Sequence, residues 1–111
     1  MDIDFAKKKD RRVFNNVKLL IRTYGPENAR RIRLRVLEFN TARFLADIPE
    51  TPPPRRHKLT NRKEEYAVDV KHPFRLVFTP DPASPKSADG AYDISEVTGI
   101  IILRVEDYHG N

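Results

Sequence analysis

The 111-residue chain contains no cysteine. Disulfides and cysteine-based metal sites are therefore excluded, and a reducing compartment is permitted. Glycine is scarce: Gly25, Gly90, Gly99 and Gly110 each stand alone, so there is no glycine-rich phosphate loop. The three histidines, His57, His72 and His109, share neither helix nor strand spacing, and no H-E-x-x-H pattern occurs. A preformed zinc site is disfavoured on that ground, and neither a metal nor a cofactor is expected. A serine nucleophile elbow is missing as well. No apolar run approaches the ~20 residues that span a bilayer. The start, Met1-Asp2-Ile3-Asp4-Phe5, has no apolar stretch of the kind a secretory signal needs. The expectation is a cytoplasmic protein with no membrane partner.

What is present is charge, unevenly placed. Residues 1–63 hold 17 Lys/Arg against 7 Asp/Glu, a balance of +10, whereas residues 64–111 hold 4 against 9, a balance of −5. A basic N-terminal part is the electrostatic footprint expected of a nucleic-acid binder. Solvated helix faces rich in arginine produce the same signal, and so does attraction to an acidic protein partner. The length suits a single domain over residues 1–111 with one core.

Val13, Val17, Leu20, Ile21 and Tyr24 recur at spacings of three and four, which predicts an amphipathic helix from Ala6 to Tyr24. Gly25 is placed to end it in the left-handed conformation, and Pro26 with Glu27 suits the first turn of a second helix. Ala29, Ile32, Val36 and Phe39 form the stripe of that second helix, with Leu37, Phe44 and Leu45 widening it. Pro49 and Pro52-Pro53-Pro54 end the helical region. Tyr66 to Val70 alternates as a strand, Lys71-His72-Pro73 reads as a tight turn, and Phe74 to Phe78 reads as the return strand. Residues 79–93 read as a long surface loop, and residues 93–97 as a single helical turn. The apolar run Ile100-Ile101-Ile102-Leu103 predicts a central strand from Thr98 to Glu106. With a short first strand, this order implies an α+β fold: two N-terminal helices forming a hairpin, packed on a mostly antiparallel sheet of about four strands.

The last strand leads straight into Asp107-Tyr108-His109, an acid, a phenol and an imidazole in one place. RNA cleavage by the adjacent 2′-OH needs few parts: a base for that proton, a cation for the charge growing on phosphorus, and an acid for the leaving oxygen. Histidine titrates near ~6.5 and can serve as either proton carrier. Arginine offers a planar fork that matches phosphate oxygens. Arg75 lies on the face of its strand opposite Phe74, Leu76 and Phe78, which sends it outward with Val77 if those three face the core. A solubilising arginine at that place, a surface role for His57, a turn role for His72 and a frayed polar terminus are the plain alternatives.

These segments also carry a resemblance. Leu59 to Tyr66, then Val68-Asp69-Val70-Lys71-His72-Pro73-Phe74-Arg75-Leu76-Val77-Phe78, and the closing Val105-Glu106-Asp107-Tyr108-His109 resemble the HigB-type killer toxins of the RelE/ParE superfamily, found in type II toxin–antitoxin systems. The resemblance implies a RelE/ParE-like domain that cuts mRNA on the ribosome without metal, inhibits translation and arrests growth. It also implies restraint by a cognate helix-turn-helix antitoxin of the HigA type, with operator DNA bound only through the toxin–antitoxin complex. Carried onto this chain, the family's active set becomes His57, Arg75, Asp107, Tyr108 and His109. On the nuclease reading the basic residues Arg30, Arg31, Arg33, Arg35, Lys58 and Lys63 are the expected contacts to RNA and ribosome. Thr60 stands where the family has a lysine, and Asn61 where a glycine usually follows. The alternatives are a non-enzymatic toxin of the ParE branch acting on DNA gyrase, and a weakly active member that retains only antitoxin binding.

Overall fold

The computed structural model describes residues 1–108. Strand β1 (Asp2–Phe5) leads into three helices, α1 (Lys8–Phe14), α2 (Val17–Tyr24) and α3 (Pro26–Thr41). One continuous helix from Ala6 to Tyr24 does not form, because Asn15 and Asn16 divide it. The Asn16 side chain accepts from the Leu19 N–H at 3.1 Å and so caps α2, while the Asn15 amide donates back to the Arg11 carbonyl at 2.9 Å. Asparagine side chains compete with the backbone for its own hydrogen bonds, which is why they stop helices more readily than they continue them. Three helices thus stand where a two-helix hairpin was expected. Gly25 joins α2 to α3 with φ +84°, a conformation that side chains with a Cβ rarely adopt, and Pro26 opens α3.

The break changes which apolar residues go inside. Val13 and Leu20 are buried, whereas Val17 and Ile21 are exposed beside Leu34 and Leu37 of α3. From α3, Ala29, Ile32 and Phe39 enter the core, and Leu45 follows in a single 3-10 turn (Leu45–Asp47). Leu37, expected to widen the buried stripe, remains in solvent.

The sheet has five strands in the order β1-β5-β4-β3-β2, adding β2 (His57–Lys58), β3 (Tyr66–Asp69), β4 (Phe74–Pro80) and β5 (Gly99–Asp107). It is mixed: β1 runs parallel to β5, and the remaining pairs are antiparallel. The expected antiparallel pair around Lys71-His72-Pro73 forms, with the Phe74 N–H donating to the Lys71 carbonyl at 2.8 Å. β5 is an interior strand, flanked by β1 and β4, while β4 holds the middle of the sheet. The architecture is α+β.

The two faces of the sheet bury different things. Toward the helices, Val68, Leu76, Phe78, Ile100 and Ile102 pack with Val13, Leu20, Ile32 and Phe39. Phe78 is the hub of this layer, with ring centres 5.0 Å from Phe39 and 6.0 Å from Tyr66. On the outer face a smaller apolar group, Leu59, Ala67 and Val77 with Leu103, carries charged residues around it. Val77 is therefore buried, although it does share the face of Arg75.

The segment after β4 is shorter and more tied down than its composition suggested. β4 continues through Pro80, and residues 93–97 form turns rather than a helix. The Leu45 N–H donates to the Val97 carbonyl and the Ala46 N–H to the Ile94 carbonyl, both at 3.0 Å, which fastens the segment to the 3-10 turn. Val97 is fully buried there. Truncation of the hub, Phe78→Ala, is expected to lower unfolding stability by about 3–5 kcal/mol, read as a shifted urea midpoint with an unchanged slope.

Candidate functional site

Strand alternation sets the outer face. Antiparallel partners point the same way, so the pairing Asp69↔Arg75↔Glu106 forms one charged row across β3, β4 and β5. The next row is His57↔Ala67↔Val77↔Arg104. Between Val77 and Phe78 the register shifts: Val77 opposes Arg104 while Phe78 opposes Ile102, so Leu103 is one residue extra. This bulge puts Leu103 and Arg104 on the same face and returns Val105 to the core.

Arg75 is the centre of the charged row. Its Nη2 and Nε donate to Glu106 Oε2 at 2.6 and 3.0 Å. Its guanidinium also lies over the Tyr108 ring, 4.7 Å from the ring centre, which adds a cation–π attraction and fixes the plane of the fork. Tyr108 is brought there by its own backbone, whose N–H donates to the Pro73 carbonyl at 3.1 Å, and its ring centre lies 5.9 Å from that of His72.

Glu106 also accepts from Arg62 Nη1 at 2.7 and 2.9 Å and from Arg104 Nε at 2.7 Å. Arg104 bridges onward to Glu65. Burial by itself would raise the Glu106 carboxyl, but the hydrogen bonds from Arg104, Arg75 and Arg62 outweigh it and hold the group at about 2. Glu106 is therefore the carboxylate beside Arg75. Asp107, the acid singled out by the sequence, stands in register with Phe74, so the alternation of β5 directs it to the other face.

Arg55, like Arg62, Arg104 and Glu106, is a residue that sequence reasoning missed. Its fork grips Asp69 bidentately, with Nε to Oδ2 at 2.6 Å and Nη2 to Oδ1 at 2.7 Å. The Asp69 hydrogen bond raises the Arg55 pKa, desolvation opposes that rise, and Tyr108 adds to it through charge and a side-chain hydrogen bond. The Arg55 carbonyl lies 2.8 Å from His57 Nδ1. A carbonyl can only accept, so Nδ1 is the donor of this contact and Nε2 is the nitrogen turned away from it. Arg55 holds a left-handed backbone, φ +58°, a strained choice for a residue with a Cβ. Its one signal in the sequence was its place directly after three prolines.

The proposed set is thus brought together only in part. Arg75 and Tyr108 are in contact, while His57 sits two strands from Arg75, roughly 10 Å of sheet by ordinary strand spacing. His109 lies outside the described residues. Lys58, Lys63 and Arg33 are exposed. Arg30 and Arg31 share Glu27. Arg35 needs correction as a nucleic-acid contact: it is buried, donating to the Asp69 carbonyl at 2.7 Å and to Glu38 at 2.6 Å, so it clamps α3 to the sheet. Among the described residues no cluster of three His, Asp or Glu could hold a metal, and no helix is long and apolar enough to cross a membrane.

No family model matches the chain, and neither a curated protein nor a solved structure matches it. The chemistry of this face is that of four guanidiniums, from Arg55, Arg62, Arg75 and Arg104, a stacked phenol and the carboxylates that hold them.

Glu106 ties this site to acid stability. Its pKa is depressed on folding from an ordinary 4.5 to about 2, so its contribution is complete above 4.5 and is lost as pH falls toward 2. Glu106→Gln is expected to lower stability by about 1–3 kcal/mol at neutral pH and to flatten the fall in melting temperature across that window. Glu27, likewise held at about 2 by Arg30 and Arg31, leaves a residual slope.

Proposed function

We propose that this protein is a metal-independent endoribonuclease, a ribosome-dependent mRNA interferase serving as the toxin of a type II toxin–antitoxin pair. The observation that carries the reading is Arg75, whose guanidinium is held edge-on by Glu106 and face-on by Tyr108 where β5 runs out. A fork fixed in two directions suits an in-line displacement at phosphorus, where positioning and charge stabilisation make up most of the catalysis. The resemblance of the closing Val105–His109 segment to the HigB-type toxins supplies the substrate class.

In this mechanism His57, with Nε2 unprotonated, removes the proton of the 2′-OH. The 2′-oxygen attacks phosphorus, the bond to the 5′-oxygen breaks, and His109 returns a proton to that oxygen. The products are a 2′,3′-cyclic phosphate and a free 5′-hydroxyl. Arg75 neutralises the charge that builds on the phosphoryl oxygens, and Tyr108 positions the nucleotide beside it. The roughly 10 Å of sheet between His57 and Arg75 is bridged by the length of both side chains and by the substrate between them.

Arg33, Lys58 and Lys63 serve as the phosphate contacts on the ribosome, where affinity falls with salt as counterion release requires. Restraint comes from a cognate helix-turn-helix antitoxin, with operator DNA bound through that complex.

Expression without antitoxin is expected to arrest growth and cut translated mRNA. Arg75→Ala and His109→Ala should each reduce cleavage by about 10²-fold or more, measured by primer extension on a ribosome-programmed message. Intact mRNA together with inhibited DNA gyrase would instead establish the ParE-type reading. Thr60→Lys adds a cation where the family has its lysine and is expected to speed cleavage in the same assay; an equal or lower rate would reject that role for position 60.

A further inference from the structure

Glu106 has more cationic partners than one carboxylate needs. Arg62 reaches both of its oxygens, Arg75 sends two donors to Oε2, and Arg104 donates to Oε1. A single guanidinium already neutralises the charge of a carboxylate. Arg104 is held a second time by Glu65, and Arg62 approaches Glu65 only to 4.0 Å. Three cations therefore surround two anions, and the surplus positive charge sits on Arg62 and Arg75. Three planar forks converging on two oxygen atoms is a geometry that fits a phosphate equally well.

We propose that Glu106 is an internal stand-in for a phosphate, a positioning residue that keeps Arg62 and Arg75 converged and then yields them to a phosphodiester of the RNA. It rests on the nuclease reading for the class of ligand, a polyribonucleotide, but not on cleavage itself. Displacement strengthens the grip, because Glu106 holds Arg75 in place through the Nε–Nη2 edge that a phosphate would also take, while Tyr108 keeps the face covered. With that edge released, Arg75 gains the side-on fork for phosphate in addition to its Nη1–Nη2 end. Glu106 is not orphaned by the exchange, since Arg104 Nε stays 2.7 Å from Oε1 and is itself braced on Glu65. The exchange is thus a competition between two anions for shared cations. Its strength is set by the negative charge that Glu106 keeps near the incoming phosphate.

The test is binding of a labelled, 2′-O-methylated RNA oligonucleotide, which cannot be cleaved through its 2′-oxygen, to the full chain by fluorescence anisotropy over a range of salt. Glu106→Gln keeps the shape of the acceptor and removes the competing charge. It is expected to bind about tenfold more tightly, with log K falling more steeply against log salt by about 0.7 for each phosphate newly engaged, even though the variant is thermally less stable. Adding Arg75→Ala should return affinity to the wild-type level or below. Inorganic phosphate, offering one anion where the oligonucleotide offers several, should compete only weakly. A purely structural Glu106 loses stability without gaining affinity, and unchanged or weaker binding overturns the proposal. Displacement of the RNA by an oligoglutamate of equal charge at equal concentration would make the cluster a carboxylate-docking site and overturn the assignment to RNA. Glu106→Asp keeps the charge on a shorter arm that cannot reach all three arginines, and is expected to bind RNA with intermediate affinity. It keeps the test decisive if the Gln variant does not fold. Missing mRNA cleavage would sink the nuclease reading alone, whereas unchanged RNA affinity in Glu106→Gln would sink this inference alone.

Discussion

Between Ile102 and Arg104 the last strand carries one residue more than its partner, and the outer face is built around that irregularity. In a regular strand Ile102 and Arg104 would share a face, and Arg104 would point at the helices. The extra residue, Leu103, turns Arg104 outward, returns Val105 to the core and sets Glu106 beside Arg75. A strand without the bulge could not keep Ile100 and Ile102 buried while placing Arg104 and Glu106 together on the charged face. The apolar core and the charged site are thus two consequences of one register choice.

The charges on that face form a graded set. Asp69 is bound by the single fork of Arg55, a closed pair, while Glu106 is shared by three arginines. A shared carboxylate with several cations keeps the positive charge concentrated, whereas a closed pair cancels it. This separates the arginines fixed by partners of their own from those that share one anion. Arg35 and Arg56 belong with the former, since each is buried and donates to a backbone carbonyl. The positive balance of residues 1–63 therefore overstates the basic surface, because part of it is spent on holding helix, joint and sheet together.

Along the chain, the features legible in the residues were those carried by short-range patterning. Gly25 with Pro26, the proline-terminated helical region, the turn at Lys71-His72-Pro73 and the interior apolar strand all follow from local stereochemistry or period. The break at Asn15-Asn16 was masked because Val13, Val17, Leu20 and Tyr24 keep helical spacing straight through it, and period alone does not register a side-chain cap. The exposure of Val17 and Ile21 follows from the same break. The first strand was visible as a strand, but its parallel pairing with β5 was not, since the partners are nearly a hundred residues apart in sequence.

By itself the sequence determined the α+β class, the positions of most elements and the presence of Arg75 on the face opposite Leu76, because each of these depends on alternation or on the conformational limits of glycine and proline. The tertiary structure alone decided which carboxylate meets that arginine. Asp107 and Glu106 are adjacent in the chain and chemically alike, and strand register with one bulge selects between them. It also decided that Arg55 and Tyr108 interact, and that Arg35 turns inward. Register is a long-range property, settled by how the whole sheet buries its apolar face, and no local pattern of residues encodes it.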